Sequence, residues 1–541
     1  MAAQSLSFDY VIIGAGSAGC VLANRLSEDP SVTVALVEAG SRDLNPWLHI
    51  PAGYFRTMFN PSVTWQFGSG PEPFLGDRIV PWPRGRVLGG TSAVNGLLYV
   101  RGQAMDFDIW RQLGNTGWSY QDVLPYFKRA EDQERGADDY HGAGGPQGVS
   151  DVHMDNPVCE AYIASCVAAG IPHTTDFNGR EQEGVGYYQL TTRNGRRCST
   201  AVGYLNPVRS RVNLSILTDA AVQRITLEGK RATGIVFRRG GDTVTVEARR
   251  EVIVSAGAIG SPQLLQVSGI GPGAVLQSAG VEVRHDLPGV GENLQDHFQA
   301  RFVYECDLAG SLNDVWHSRV KQFQTGLQYM FSRTGILTIG AGVVGVFAKS
   351  RPELDAPDIQ FHFLPLSAEG PGQGLHRFSG VTASVCQLRP DSRGTISITS
   401  PDPVVAPRII SNYLAVENDR RVLVDGLQLA RRIAKQPPFA QHIVREYIPG
   451  PDFQTDDDFL TFAKAKGTTI FHPCGTCKMG SDPMAVVDER LRVHGVSGLR
   501  VVDASIMPTM TSGNTNAPTI MIGEKASDMI REDAKAAMQV A

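Results

Sequence analysis

The feature that most constrains the fold is a glycine-rich turn near the start of the chain. Residues 10–13 are β-rich, the run Gly-Ala-Gly-Ser-Ala-Gly follows at 14–19, and residues 17–26 have helical periodicity. A second apolar run at 32–38 completes a βαβ unit. Glycines at this spacing allow a tight turn, close approach of the backbone to a pyrophosphate, and packing of the helix on the strand. The chain is therefore predicted to open with a Rossmann-like dinucleotide-binding domain.

An acidic residue, Glu38, ends the second strand about twenty residues after the glycines, as this fingerprint requires. Its carboxylate is expected to accept hydrogen bonds from the adenosine ribose and to disfavour a 2′-phosphate, which argues against NADP. A glycine turn without a ligand is the weaker interpretation. The fingerprint alone leaves FAD and NAD both open. The cofactor contacts predicted in this unit are Gly14, Gly16, Ser17, Ala18, Gly19, Glu38 and Ala39.

Composition limits the class of protein. The 541 residues are 42% hydrophobic and 19% charged with a formal net charge of -5, which predicts a globular chain of about two domains and disfavours nucleic-acid binding. The first residues lack a basic, apolar signal-peptide pattern, and eight scattered cysteines give no disulfide framework, so a cytoplasmic protein is expected. No uncharged stretch is long enough for a membrane span. Peripheral membrane association stays open, because a surface patch leaves no recognisable pattern.

The middle of the chain changes character twice. Residues 43–85 are rich in proline, glycine and tryptophan and predict a long ordered loop, and a strand at 244–254 leads to a second glycine-rich segment. Residues from about 310 to 460 predict a second domain, with amphipathic helices at 315–331 and 418–433 and an alternating strand at 359–364. Strand and glycine-turn patterns return at 472–523, so the end of the chain is expected to complete the first domain.

Three further segments name a family. Gly-Arg-Val-Leu-Gly-Gly-Thr-Ser-Ala-Val-Asn occupies 85–95, a Ser-Ala-Gly-Ala-Ile-Gly-Ser-Pro run begins the segment 255–271, and His-Pro-Cys-Gly-Thr-Cys-Lys-Met-Gly occupies 472–480. A buried β-turn also uses adjacent glycines, but not this combination. Together these segments resemble the glucose-methanol-choline (GMC) oxidoreductase family over nearly the whole chain, from residue 8 to about 529. Within the family the similarity is greatest to bacterial choline dehydrogenases and FAD-dependent alcohol dehydrogenases.

The resemblance implies FAD and an α/β fold, α+β overall, in which a Rossmann-like FAD-binding domain joins a substrate domain with a large antiparallel sheet flanked by helices. The FAD-binding domain is assigned to 1–155, 196–310 and 465–541, and the substrate domain to 156–195 and 311–464. Some members attach the flavin through a histidine in the first signature, but the matching position here is Val94. Noncovalent FAD is therefore expected.

The resemblance also assigns the chemistry. His472 matches the family's catalytic histidine and suits a general base near neutral pH. Asn514 matches its partner and is expected to donate to the substrate oxygen as negative charge develops, although Asn516 in the same loop is an alternative. Asp503 resembles a cofactor contact, with a buried structural aspartate as the other interpretation. Further predicted cofactor contacts are Gly89, Gly90, Thr91, Ser92, Asn95, Gly96, Val222, Asp503, Asn516, Pro518 and Thr519.

Two other groups of residues allow more than one interpretation. Cys474 and Cys477 form a CxxC, but no second CxxC or histidine pair supports a metal, so no metal is predicted and both are interpreted as small packed residues. Phe361, Phe363 and Phe471 are predicted to form walls of the substrate pocket, although aromatics on an alternating strand are more often core.

The leading functional prediction is FAD-dependent oxidation of a primary alcohol to an aldehyde, with hydride transfer to flavin N5, His472 as base and a quinone-like electron acceptor. The alternatives are an oxygen-using oxidase of aryl or furanic alcohols, a choline dehydrogenase, and an FAD-containing hydroxynitrile lyase. Choline would require an aromatic cage or a carboxylate in the pocket, and the sequence places neither. The expected partners are a small alcohol and a quinone or oxygen, and the oligomeric state is left open.

Overall fold

The computed structural model describes residues 5–308, 310–370 and 372–540. Two seven-stranded sheets form the framework of this part of the chain, and each has its own large hydrophobic core. Residues 1–4, on which the signal-peptide expectation partly rests, lie outside the described residues.

The first sheet contains the predicted βαβ unit. Its parallel part has four neighbouring strands, of which the longest also pairs with a short parallel strand and with an antiparallel hairpin. In spatial order the strands are Leu214–Leu217, Val34–Val37, Ser5–Ile13, Asp242–Val254, Arg231–Arg239 and Ala221–Glu228, with Leu499–Val501 beside Asp242–Val254. Segments from the beginning, middle and end of the chain thus share one sheet.

The second sheet is antiparallel throughout. In spatial order its strands are Ile443–Ile448, Phe298–Cys306, Gly380–Gln387, Ile359–Leu364, Val344–Ala348 and Gly184–Tyr187, with Thr468–Thr469 beside Phe298–Cys306. The predicted large antiparallel sheet is confirmed. The strand Phe298–Cys306 lies in it, whereas the predicted boundary at 310 assigns this strand to the first domain. The exact domain boundaries stay a prediction.

Helices cover both sheets, as the α/β prediction requires. Their bounds are Ser17–Leu26, Tyr54–Thr57, Ala104–Gln112, Tyr120–Ala130, Pro157–Ala168, Gly257–Val267, Gly273–Ser278, Leu312–Trp316, Arg319–Ser332, Glu417–Ala434, Pro437–Ala440, Asp456–Lys466 and Asn516–Val540. The first and last main helices, Ser17–Leu26 and Asn516–Val540, pack on each other. Five short two-stranded pairs complete the described sheets: Thr64–Gly68 with Pro81–Gly85, Glu131–Gln133 with Gln147–Val149, Thr192–Arg193 with Arg196–Arg197, Ile270–Gly271 with His285–Asp286, and Thr395–Ser397 with Arg408–Ile410.

Two expectations of local structure were wrong in part. The single helix expected at 315–331 is two helices, because Ser318 accepts a hydrogen bond from the backbone N–H of Lys321 and begins a new helix there. The long loop expected at 43–85 contains the hairpin formed by Thr64–Gly68 and Pro81–Gly85. No helix of the described residues is apolar over a length that would span a bilayer.

Candidate active site

One large cavity lies between the two sheets. Its volume is about 890 Å³, and residues of the first sheet, the second sheet and the C-terminal segment line it. Cavities that bind small molecules and cofactors typically have volumes of roughly 300–1,000 Å³. The cavity has a cofactor end, beside the glycine turn at 14–19, and a substrate end, beside His472.

The glycine turn forms the cofactor end with its backbone. Gly14 has a φ of +99°, which favours glycine, and a Cβ on Gly19 would lie 1.9 Å from the Gly14 carbonyl oxygen. A Cβ on Gly16 would instead meet only one atom within 4 Å, the Ser255 carbonyl oxygen at 4.0 Å. Gly14 and Gly19 therefore hold the turn together, while Gly16 presents bare backbone to the cavity, as a pyrophosphate requires.

The segment at 85–95 packs directly against this turn. Gly90 has a φ of +53°, and a Cβ there would lie 2.6 Å from the Gly16 Cα. The Ser92 hydroxyl donates to the Gly89 carbonyl oxygen at 2.6 Å and also contacts the Thr200 hydroxyl at 2.9 Å. Two glycine-rich segments that are distant in sequence thus form one cradle.

Glu38 lies at the end of the cradle where the fingerprint predicts the ribose. Its two carboxylate oxygens accept from the backbone N–H groups of Ala15 at 2.9 Å and Gly40 at 2.8 Å. Burial raises the pKa of this carboxyl, although both hydrogen bonds oppose the shift. The side chain is therefore fixed in place and lines the cavity.

Asp503 is held from the other side. It accepts from the Gly257 N–H at 2.8 Å, from the Ser261 hydroxyl at 2.5 Å and from the Ser505 N–H at 2.8 Å. Burial raises its pKa, and these hydrogen bonds lower it. This aspartate holds the start of the helix Gly257–Val267 and also lines the cavity, so the structural and cofactor-contact interpretations of Asp503 both have support in its geometry.

The structure brings most of the predicted cofactor contacts to the cavity. Those that line it are Gly14, Gly16, Ser17, Ala18, Glu38, Ala39, Gly90, Thr91, Asn95, Gly96, Val222, Asp503, Asn516 and Thr519. Gly19, Gly89, Ser92 and Pro518 are not lining residues. The first three pack behind the cradle and Pro518 lies in the first turn of Asn516–Val540, so a direct cofactor contact of these four stays a prediction.

At the substrate end, His472 is the centre of a hydrogen-bonded group. Its backbone N–H donates to the buried carboxylate of Asp296 at 2.7 Å, and its ring lies between two partners. Nδ1 is 3.0 Å from Nδ1 of His297, and Nε2 is 3.0 Å from the side-chain nitrogen of Asn514. The two residues that the sequence predicts to act together, His472 and Asn514, are thus in direct contact.

The hydrogen bonds determine which nitrogen of His472 carries a proton. Nε2 of His297 lies 3.0 Å from the Leu388 carbonyl oxygen, which only accepts, so this nitrogen is the protonated one. Burial lowers the pKa of His297 to about 4, so the ring is neutral and its Nδ1 accepts. His472 must then donate from Nδ1, which leaves its Nε2 unprotonated and able to accept from the Asn514 amide.

Asn514 is oriented by the same group of contacts. Its side-chain oxygen accepts from the Gln360 amide at 3.3 Å, so its –NH₂ group faces His472. Asn516 has a different role, because its side-chain oxygen accepts from the Ser17 hydroxyl at 2.7 Å beside the glycine turn. The structure therefore separates the two asparagines that the sequence left as alternatives.

Burial lowers the pKa of His472 well below its ordinary value. Electrostatic repulsion between a protonated His472 ring and the side chains of His297, His362 and Arg84 lowers this pKa further. The carboxyl group of Asp296, which accepts from the His472 N–H, is buried as well, and burial raises its pKa to about 6. The imidazole is therefore neutral across the physiological pH range.

The three aromatic residues that are predicted to form walls of the substrate pocket lie in different environments. Phe471 lines the cavity in a left-handed conformation, with a φ of +69°, and its carbonyl oxygen accepts from Arg84 at 2.7 Å. Phe361 and Phe363 are fully buried on the helix side of the second sheet, where Phe363 stacks on Tyr162 at 4.0 Å. The prediction that Phe361 and Phe363 line the pocket was therefore wrong.

The residue between them, His362, lines the cavity instead, because neighbouring side chains on a strand point to opposite faces. Sequence analysis also missed His297, Asp296, Arg84 and Arg301. The alternation of side chains along the strand Ile359–Leu364 could have identified His362. The polar His362 lies on the face opposite to Phe361 and Phe363, and a polar side chain is more suited to a cavity than to the core. No sequence pattern indicated His297 and Asp296, because the residue that both contact, His472, is about 175 residues away in the sequence.

Cys474 and Cys477 are both fully buried in the first core, and burial raises the pKa of each thiol. They are packed residues, as predicted. The described residues contain no cluster of three or more His, Cys, Asp or Glu side chains arranged to hold a metal ion.

Comparison with known proteins gives consistent results. A family model described as GMC oxidoreductase matches residues 8–299, and its C-terminal counterpart matches residues 390–523. An oxygen-dependent choline dehydrogenase of Pseudomonas putida is 46% identical over 98% of this chain and 94% of its own length. The enzyme of the same name from Burkholderia ambifaria is 45% identical over 97% and 93%. The crystal structure of pyridoxine 4-oxidase from Mesorbium loti is 31% identical, with a TM-score of 0.88 over 97% of this chain and 99% of that one.

Proposed function

This chain belongs to the GMC oxidoreductase family, and we propose that it oxidises a primary alcohol to the aldehyde with His472 as general base. It is an FAD-dependent oxidoreductase that acts on CH–OH donors. The observation that carries the proposal is the unprotonated Nε2 of His472, which the hydrogen bonds from His472 to His297 and from His297 to Leu388 leave facing the Asn514 amide.

The cavity fits an FAD molecule at its cofactor end. The space in front of Gly16, which a Cβ would begin to fill, suits a pyrophosphate, and Glu38 lies where the ribose is expected. We assign the FAD contacts to the cavity-lining residues of this end. When bound, the flavin supplies the hydride acceptor, N5.

The side chains at the substrate end supply the proton chemistry. His472 Nε2 accepts the hydroxyl proton of the alcohol, and its low pKa keeps it unprotonated before the reaction. The Asn514 amide donates to the substrate oxygen as negative charge develops there. Asp296 holds the backbone of His472 in place through the 2.7 Å hydrogen bond.

The FAD is proposed to be noncovalent. Val94 lines the cavity at the position where some family members attach the flavin, and its alkyl side chain cannot form that bond. Denaturation and removal of the polypeptide should therefore leave the yellow colour in the supernatant. Colour that remains on the denatured chain would contradict this proposal.

The test of alcohol oxidation is anaerobic mixing of the holoenzyme with aliphatic, aromatic, anionic and quaternary-ammonium alcohols while the absorbance of oxidised flavin is followed. Bleaching by at least one alcohol supports the proposal, and bleaching by none contradicts it. Admission of air or of a soluble quinone then distinguishes the acceptors. The names of the relatives favour oxygen as the electron acceptor, whereas the prediction from the sequence favours a quinone.

We also propose that the helix Arg319–Ser332 attaches the protein to an anionic membrane surface. Four of its apolar side chains are strongly exposed: Val320 at 67%, Phe323 at 68%, Met330 at 57% and Phe331 at 82%. Their spacing of three, seven and one residues places them on one face of the helix. Exposed apolar stripes of this kind are typical of interfacial helices.

The charge of this region supports a lipid surface as the partner. The sequence from 315 to 352 contains no acidic residue but contains Arg319, Lys321 and Arg333, all exposed, on or directly after the helix. Cosedimentation with vesicles that contain phosphatidylglycerol should exceed that with neutral phosphatidylcholine vesicles. The double variant Phe323→Ser, Phe331→Ser should abolish this binding without loss of flavin, and unchanged binding of the variant would exclude the helix.

A further inference from the structure

The floor of the substrate end is one face of the second sheet. Arg301, Ser384 and His362 are in register across three neighbouring strands, so their side chains share that face, and all three line the cavity. The polar lining residues of this face are Gln299, Arg301, His362, Thr382 and Ser384. A polar floor with a cationic side chain is unusual for a pocket that binds only an apolar alcohol.

Arg301 lines the cavity and is half-buried, and it has no hydrogen bond or ion pair with any residue that the structure describes. Burial lowers the pKa of Arg301 to about 10, so the guanidinium stays charged at neutral pH. Glu369 is the acidic side chain that acts on it, but Glu369 is engaged with His376 and Tyr447. A charged guanidinium that faces a cavity without a partner requires an anion or several acceptors from outside the protein.

The other charges of the cavity point the same way. Among the described lining residues, the acidic ones are Glu38 and Asp503, and both belong to the cofactor end, where backbone N–H groups bind them. Arg84, beside His472, adds a second buried guanidinium at the substrate end. A substrate cation would therefore meet positive charge and no carboxylate among the lining residues of this end, since Asp296 does not line the cavity and accepts from the His472 N–H and the Tyr413 hydroxyl.

We propose that the substrate is an alcohol that also carries a carboxylate or a similar anion, bound by Arg301 while its hydroxyl group contacts His472. This inference rests on the proposed alcohol oxidation and specifies its substrate class. Arg301 lies on the strand Phe298–Cys306, which begins at the residue after His297, so four residues of extended chain separate the two, about 13 Å between Cα atoms. The long arginine side chain shortens this gap to a distance that a substrate the size of a substituted benzyl alcohol can span.

The proposal separates this chain from the relatives named choline dehydrogenase. Choline is a quaternary ammonium, which is normally bound by an aromatic cage or a carboxylate. Arg301 and Arg84 oppose such a cation at the substrate end. The charge at the substrate end of this chain therefore argues against taking its substrate from the names of its relatives.

The experiment compares three alcohols in anaerobic flavin reduction: 4-(hydroxymethyl)benzoate, benzyl alcohol and choline. The wild-type holoenzyme should reduce fastest with the anionic alcohol. Arg301→Gln should lower kcat/KM for 4-(hydroxymethyl)benzoate by about tenfold to a hundredfold, since it removes a charged hydrogen bond. The same variant should lower kcat/KM for benzyl alcohol much less than for 4-(hydroxymethyl)benzoate, and Arg301→Lys should restore part of the loss. Arg239→Gln, an exposed arginine of the first sheet, is the matched control.

Binding gives a second readout that does not require turnover. Benzoate should bind the oxidised holoenzyme in a calorimetric titration, and Arg301→Gln should weaken its Kd by at least about tenfold. Faster reduction by choline than by 4-(hydroxymethyl)benzoate, with no change in Arg301→Gln, would overturn the substrate class but not alcohol oxidation. If no alcohol bleaches the flavin, alcohol oxidation fails, while the benzoate titration still decides whether Arg301 binds an anion.

Discussion

The two ends of the cavity are built from different parts of the chain. At the cofactor end, backbone groups of the turn at 14–19 and of the segment at 85–95 form the surface, and their glycines matter because they lack a Cβ. At the substrate end, side chains form the surface: Arg301 and His362 reach it from two strands and His472 from a loop, with His297 packed against the His472 ring. A backbone cradle is encoded by a local pattern, whereas a side-chain floor depends on strand register.

The largest effect is expected at the cofactor end. Gly16→Val should fold normally but lose FAD and all activity, because the new side chain enters the space in front of the turn. Gly19→Val should instead fail to fold stably, since its Cβ would lie 1.9 Å from the Gly14 carbonyl oxygen. Circular dichroism and flavin content of the two purified variants distinguish these outcomes. Full FAD occupancy in Gly16→Val would show that the cradle does not hold the pyrophosphate.

At the substrate end, His472→Ala should slow flavin reduction by about a hundredfold or more while FAD stays bound, because the proton acceptor is lost. Stopped-flow absorbance of the anaerobic reaction measures this rate. His153→Ala, which changes an exposed histidine, is the control. Near-normal reduction in His472→Ala would exclude this residue as the base.

A smaller effect is expected from the residue behind the base. His297→Leu should slow flavin reduction by about tenfold, because His472 Nδ1 then lacks its acceptor and the tautomer is no longer fixed. His297→Gln should recover most of the rate, since its side-chain oxygen accepts the same proton. Equal losses in both variants would point to packing alone, and the pH profile of His297→Leu should shift while that of His297→Gln should not.

The pH dependence of the wild-type enzyme should be weak. The base must be unprotonated, and its pKa lies well below 6.5, so protonation begins only under acidic conditions. Rates of flavin reduction at pH 6 and pH 8 should therefore differ by less than about twofold. A tenfold fall between pH 8 and pH 6 would show that His472 titrates near its ordinary pKa.

The same difference between the two ends of the cavity explains why the cofactor end could be predicted from the sequence and part of the substrate end could not. The glycine turn, the helix at 17–26 and Glu38 follow one another within thirty residues, so composition and spacing were sufficient. His472 and Asn514 were found through their family motifs. The positions of His297 and Arg301 depend on which strands are neighbours and on which residues pair, and these long-range contacts leave no local pattern.

The smallest effect on catalysis is expected from a substitution on the core face of the strand Ile359–Leu364. Phe363 stacks on Tyr162 in the second core, and the next residue, Leu364, lines the cavity. Phe363→Ala should lower the free energy of unfolding by about 3–5 kcal/mol and leave the substrate preference unchanged, because it creates a cavity on the helix side. Leu364→Ala should change KM more and stability less. Urea unfolding and steady-state kinetics of this pair test the alternation directly, and a change of substrate preference in Phe363→Ala would return that residue to the pocket wall.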